Sequence, residues 1–164
     1  MIIPINPSII EYKSNIRNLC RVPYHGHSKG CPNFGKKQGC PPNQKLINEI
    51  FDFEKELYLI YNEFNVGNFA QRMLEMHPEW ENFPRQIYNP RRWQPVARKE
   101  HKQEIINFFI QYPNSLVNSS PEANGVNVSK LMKSVGIELN WNWPPEHNLE
   151  NKTYIVSLGG YKIK

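Results

Sequence analysis

Residues 21 to 43 carry neither a helical nor a strand period and are rich in Gly, Pro, Lys and Asn. A run of that length inside a folded chain needs an ordering agent other than secondary structure. The three cysteines of the chain, Cys20, Cys31 and Cys40, lie in or beside this run. The opening Met1-Ile2-Ile3-Pro4 lacks the basic start and apolar stretch of a secretory signal, and the cysteine count is odd. Both features argue against a disulfide framework and for thiols that hold a metal in a reducing compartment.

Charge points to the same segment. Residues 12 to 46 hold seven basic side chains (Lys13, Arg17, Arg21, Lys29, Lys36, Lys37, Lys45) and no acidic one. The net charge of +5 therefore divides into a +7 loop and a slightly acidic remainder. Hydrophobic residues at 39% and aromatics at 12% suffice for a core, which excludes a disordered chain. The length of 164 residues suits one domain, 1–164, with the basic cysteine loop 12–46 inside it. No apolar run approaches the roughly 18 to 20 residues of a membrane span, so the expected location is the cytoplasm.

The remaining periodicities predict the scaffold. Ile9, Tyr12, Ile16 and Leu19 fit one face of a short helix, and Leu46, Ile47, Ile50 and Phe51 fit another that opens after Pro41-Pro42-Asn43. Residues 57 to 61 form a continuous apolar run of strand length. Val66, Phe69, Ala70, Met73 and Leu74 give a second helical stripe, and Pro95 suits the first turn of a helix reaching about residue 111. Short strands are expected at 115–117 and 154–158, with a helix between them capped by Asn127 and stopped by Gly136. Strands alternating with helices predict an α/β fold: a small, partly parallel sheet with flanking helices and an N-terminal Cys-rich metal-binding loop.

The ligand pattern Cys-x10-Cys-x8-Cys differs from the paired cysteines of zinc knuckles and from the tight runs of bacterial ferredoxins. Two of the cysteines sit in Gly-Cys-Pro, where glycine admits a close approach and proline stiffens the chain. Three thiolates can hold three irons of a [4Fe–4S] cluster and leave the fourth open as a Lewis acid or sulfur-binding position. The alternatives are a Cys3His zinc staple with His25 or His27 as fourth ligand, and unligated thiols.

Cys31-Pro-Asn-Phe-Gly-Lys followed by Cys40-Pro-Pro, within a basic segment, resembles the family of predicted metal-binding proteins called DUF2284. Pro121-Glu-Ala-Asn-Gly-Val-Asn-Val128 is similar to that family's Glu-Ala-x-Gly-(Ile/Val)-(Asp/Asn)-Val element. The resemblance implies an iron–sulfur protein. The chain lacks the further ferredoxin-like cysteines of longer relatives, so a second cluster is not expected. The three-cysteine logic is also similar, as chemical analogy, to the small thiouracil desulfidases, whose free iron takes sulfur.

Other residues complete the expected site. Glu122 follows the short strand near residue 116 and is the candidate proton donor or acceptor. Tyr24 and His27 lie between the first two ligands and suit hydrogen bonding to sulfur, while Arg21 and Lys36 are candidate anion contacts. The expected activity is a non-redox desulfidase or sulfurtransferase acting on an anionic small-molecule or nucleotide-like substrate. The other class is a zinc-stapled module binding nucleic acid or a protein partner. Arg85, Arg91, Arg92, Arg98, Lys99 and Lys102, interleaved with Tyr88 and Trp93, form the basic-aromatic pattern that such a module would use.

Overall fold

The computed structural model describes residues 1–24 and 27–163. Four strands, β1 (Ile2–Ile5), β2 (Leu57–Asn65), β3 (Leu116–Asn118) and β4 (Lys152–Gly160), form a sheet in the order β1-β2-β4-β3. Four helices accompany it: α1 (Val66–Met76), α2 (Pro84–Ile87), α3 (Pro90–Gln111) and α4 (Val128–Ser134). All three strand pairings are antiparallel. The expectation of a partly parallel sheet is thus overturned.

The physical reason lies in where β4 inserts. β2 and β3 each run antiparallel to β4, so they point the same way and are joined by a helical crossover. The C-terminal strand then enters between them and separates the two like-directed strands. The local pattern of strand, helix and strand was legible, but the pairing partner came from the far end of the chain.

Side-chain alternation explains why β2 reads as a continuous apolar run. Leu57, Leu59 and Tyr61 share one face with Leu158, and pack against Ile5, Ile10, Ile47, Phe51, Val126, Leu131 and Met132. Tyr58 and Ile60 on the opposite face meet Phe108 of α3, and Phe64 packs with Ala70, Trp93 and Ala97. Both faces are covered, so neither parity of β2 can be polar. Burying each such large side chain stabilises the fold by about 1.5–3 kcal/mol. Glycine lets the layers close: a Cβ on Gly159 would lie 2.4 Å from Phe108 Cζ.

Asn65, Asn89 and Asn127 cap α1, α3 and α4, each accepting a backbone N–H in the first turn. The third helix starts earlier than expected. Pro90 takes its first position behind Asn89, and Pro95 sits inside the helix. The two helices expected around 8–19 and 43–51 are replaced by single-turn or 3-10 segments at Pro7–Ile9, Ser14–Arg21 and Ile47–Glu49. Extended pairing wins at both places. Tyr12 bridges Val126, and Phe51 bridges Lys162, which pulls the backbone out of helix.

One polar network crosses the second face of the sheet. His101 Nε2 and Ser157 Oγ lie 2.7 Å apart and both residues are buried. Burial, with the nearby terminal ammonium, pushes the His101 pKa below its ordinary value, and Glu104 opposes this only in part. A proton that the unfolded chain accepts is refused by the folded one, so stability falls as pH drops below about 6.5. Chemical denaturation from neutral to mildly acidic pH should show this loss, and His101→Gln should flatten it. Gly159→Ala should cost about 1–3 kcal/mol by overpacking against Phe108, measured by the same method.

Candidate metal centre

Cys20 lies near the end of the 3-10 segment Ser14–Arg21, and the loop folds back onto it. The Cys31 N–H donates to the Cys20 carbonyl at 2.7 Å. This return requires Gly30, whose φ is +78° and whose Cβ position would fall 2.6 Å from the Cys20 oxygen. The Gly35 N–H closes the next turn by donating to the Pro41 carbonyl at 2.7 Å, beside Cys40. Arg17 Nη1 donates to the Pro42 carbonyl at 3.3 Å and so links the turn after Cys40 to the segment bearing Cys20.

All three thiols are free and half-buried. Burial pushes the Cys20 thiol up, and the nearby charges of Cys31, Glu122 and Cys40 push it further. Three of the expected site residues, Cys31, Cys40 and Glu122, are therefore close enough for their charges to act on Cys20. Among the described residues, no group of three or more His, Cys, Asp or Glu is gathered tightly enough to hold a metal ion. Three free thiols are donors of the type a thiophilic metal group takes, though not gathered into a site here, and the seven cations of residues 12–46 form no ion pair among the described residues.

The segment at 121–128 clamps both ends of this loop. The Lys13 N–H donates to the Gly125 carbonyl at 2.8 Å, and the Asn127 N–H donates to the Glu11 carbonyl at 2.8 Å. Asn124 Nδ2 donates to the Lys45 carbonyl at 2.7 Å, and Asn118 Nδ2 donates in turn to Asn124 Oδ1. Gly125 has φ +83°, and a Cβ there would lie 2.7 Å from the Lys13 carbonyl oxygen. Asn124, Gly125 and Asn127 thus hold the two borders of the cysteine loop against the scaffold. Glu122, one turn earlier in the 3-10 segment Pro121–Asn124, is carried to the Cys20 side by the same clamp.

Glu122 is exposed, yet neighbouring protein atoms desolvate its carboxyl and push the pKa up. The reason to single it out has changed: the sheet is antiparallel, and the clamp rather than a parallel strand end positions it. Tyr24 is exposed, and its phenol is pushed up by burial and by the charges of Cys31 and Cys20, which places it near both cysteines. His27 pairs with Tyr24 through reciprocal backbone bonds and lays its ring 4.7 Å from the Tyr24 ring. Arg21 covers the Phe34 ring at 5.9 Å, and Lys36 is exposed on the loop. His25, the other candidate fourth ligand, lies outside the described residues.

Arg17 was not singled out by its sequence context. The available signal was its spacing of three from Cys20, which puts the two on one edge of a 3-10 helix. Tyr88 and Trp93 belong to the core, so the interleaved basic segment does not present them for stacking. The hollows of about 570 and 490 Å3 lie away from the cysteines, beside Glu63 and Arg72 and around 140–151. Neither brings chemistry together. No known protein family, curated protein or solved structure matches the chain. No helix among the described residues is long and apolar enough to cross a membrane.

Replacing Gly125 with Ala forces a left-handed residue against the Lys13 carbonyl and should release the cysteine loop. Hydrogen exchange should then show the Lys13 and Asn127 amides losing protection while β2 and β4 keep theirs. Asn124→Ala should weaken the same clamp by about 1 kcal/mol through the lost bond to Lys45.

Proposed function

We propose that the chain is a DUF2284-like iron–sulfur protein, with Cys20, Cys31 and Cys40 as the ligands of one [4Fe–4S] cluster and no second cluster. The observation that carries this reading is that the charges of Cys31, Cys40 and Glu122 act on the free Cys20 thiol, beside a loop of seven cations that make no ion pair among the described residues. An anionic group of several sulfur atoms supplies the missing counter-charge, and the two motif blocks support the family reading. Free thiols also favour a reducing compartment, the cytoplasm. The zinc reading keeps the same cysteines and requires His27 or His25 as fourth ligand.

The reaction we assign is desulfidation or sulfur transfer on an anionic small-molecule or nucleotide-like thio compound. Held by three cysteines, the cluster would supply an iron with a free coordination position for sulfur. Exchange of a C=S for a C=O consumes one water and releases hydrogen sulfide, so it needs no external oxidant or reductant. Glu122, whose pKa desolvation pushes up, moves protons between the attacking water and the departing sulfur. Arg21 and Lys36 orient the anion, and Tyr24 with His27 borders the ligands on the open side.

Purification without oxygen should give a brown protein containing iron and acid-labile sulfide. A colourless protein with one zinc per chain and no sulfide overturns the cluster reading. With thiouracil as probe, Glu122→Gln should keep the visible spectrum and lower sulfide release by about 100-fold or more. Unchanged turnover removes Glu122 from the mechanism.

A further inference from the structure

The outward side of α3 takes no part in the cysteine chemistry. Arg92, Val96, Lys99, Gln103, Ile106 and Ile110 recur along it at alternating steps of four and three, and all are exposed. That spacing draws one stripe on the helix, opposite the buried Trp93, Ala97, His101 and Phe108. Arg91, Arg98, Lys102 and Phe109 make a second exposed row beside it. The two rows hold five cations, none of them in an ion pair among the described residues. Arg92 is steadied over the Trp80 ring at 4.2 Å. Neither row contains a carboxylate. Glu104 is bound to the terminal ammonium, and Glu100 turns to the other flank, where it borders the hollow beside Glu63 and Arg72. At the C-terminal end of the same surface, Ile110 is 75% exposed and Phe109 44%. Cations and uncovered apolar side chains thus share one convex face.

We propose that this face of α3 docks on an anionic lipid surface, its five cations meeting headgroup phosphates while Ile106, Phe109 and Ile110 enter the acyl boundary. The charge complementarity selects the occupant. A second copy of the chain would set five cations against five. A helical peptide needs a groove, and the hollows of the structure lie on the Glu100 flank and around 140–151. Lysine is moreover depleted at protein interfaces, whereas Lys99 and Lys102 stand in the middle of this one. A nucleic acid would use the cations but has no use for an apolar end, and Tyr88 and Trp93 are buried away from stacking. A bilayer rewards both components: each cation strengthens attachment about fivefold, and the lysine stems lie along the boundary with their ammonium groups in water. The contact is independent of any metal at the cysteines.

The test sediments the full chain with vesicles of phosphatidylcholine alone and of phosphatidylcholine mixed with phosphatidylserine, at low and high salt. Wild type should bind the anionic vesicles at low salt, release them as salt rises, and leave the neutral ones in suspension. Joint replacement Lys99→Gln and Lys102→Gln should weaken binding about 25-fold. Ile110→Ser should weaken it about 10-fold, with thermal unfolding unchanged because the side chain is exposed. The pair Lys29→Gln and Lys37→Gln, exposed on the cysteine loop, should bind as wild type. An equal loss in that pair moves the contact to the loop and overturns the proposal. So does equal affinity for neutral and anionic vesicles, no binding to either, or wild-type binding by the Lys99/Lys102 or Ile110 variants. Three further outcomes assign the face to another occupant and overturn it as well. These are a DNA duplex bound more tightly than vesicles and indifferent to Ile110→Ser, an acidic amphipathic peptide bound more tightly than vesicles, and a dimer abolished by Ile110→Ser.

Discussion

The backbone clamp between residues 121–128 and the borders of the cysteine loop is the interaction on which the rest of the site depends. Lys13 bonds to Gly125, Asn127 bonds to Glu11, and Asn124 reaches the Lys45 carbonyl. These bonds fix where an aperiodic segment leaves and rejoins the scaffold, so its internal turns need satisfy only local geometry. Gly125 is indispensable to the approach, since any Cβ would meet the Lys13 carbonyl. The salt bridge of Lys130 to Glu11 at 2.6 Å lies beside the clamp, but its exposed lysine limits its contribution.

The clamp works because the sheet behind it is rigid on both faces. Val126 is wholly buried in the same cluster as Leu59, Leu131, Met132 and Leu158. A residue of the clamp is thus part of the core, and the cysteine loop inherits its position from that packing. On the far face, α3 seals the sheet through Phe108, whose ring sits against Gly159. The candidate site occupies the margin of the fold, where loops can carry charged side chains without desolvating them all. Glu122 and Cys20 are the exceptions; both are partly desolvated and both have raised pKa values.

Much of this was legible in the primary structure. The strand at 57–61, the helix beginning at Val66, the Asn127 cap and the terminal strand all follow from local period and capping chemistry. What failed were segments whose periodicity was real but whose hydrogen bonds went elsewhere. Tyr12 and Phe51 sit in helical patterns, yet both pair in extended form with residues more than a hundred positions away. A carbonyl or N–H satisfied across the fold is unavailable to a helix, and no local pattern reveals that. Arg17 illustrates the same limit: a lysine- and arginine-rich loop gives no reason to prefer one cation until burial isolates its donors.

The sequence by itself determined the chemical content of the molecule: three thiols without disulfide partners, a surplus of seven cations around them, and apolar runs long enough for a two-faced core. Those depend on residue identity and spacing alone. Tertiary structure decided which groups meet. It inserted β4 between two like-directed strands, turned an expected parallel pairing antiparallel, and placed Glu122 beside Cys20 across a hundred residues. The physical reason is that strand pairing and buried hydrogen bonding are settled by competition among distant partners, and only the folded chain presents all of them at once.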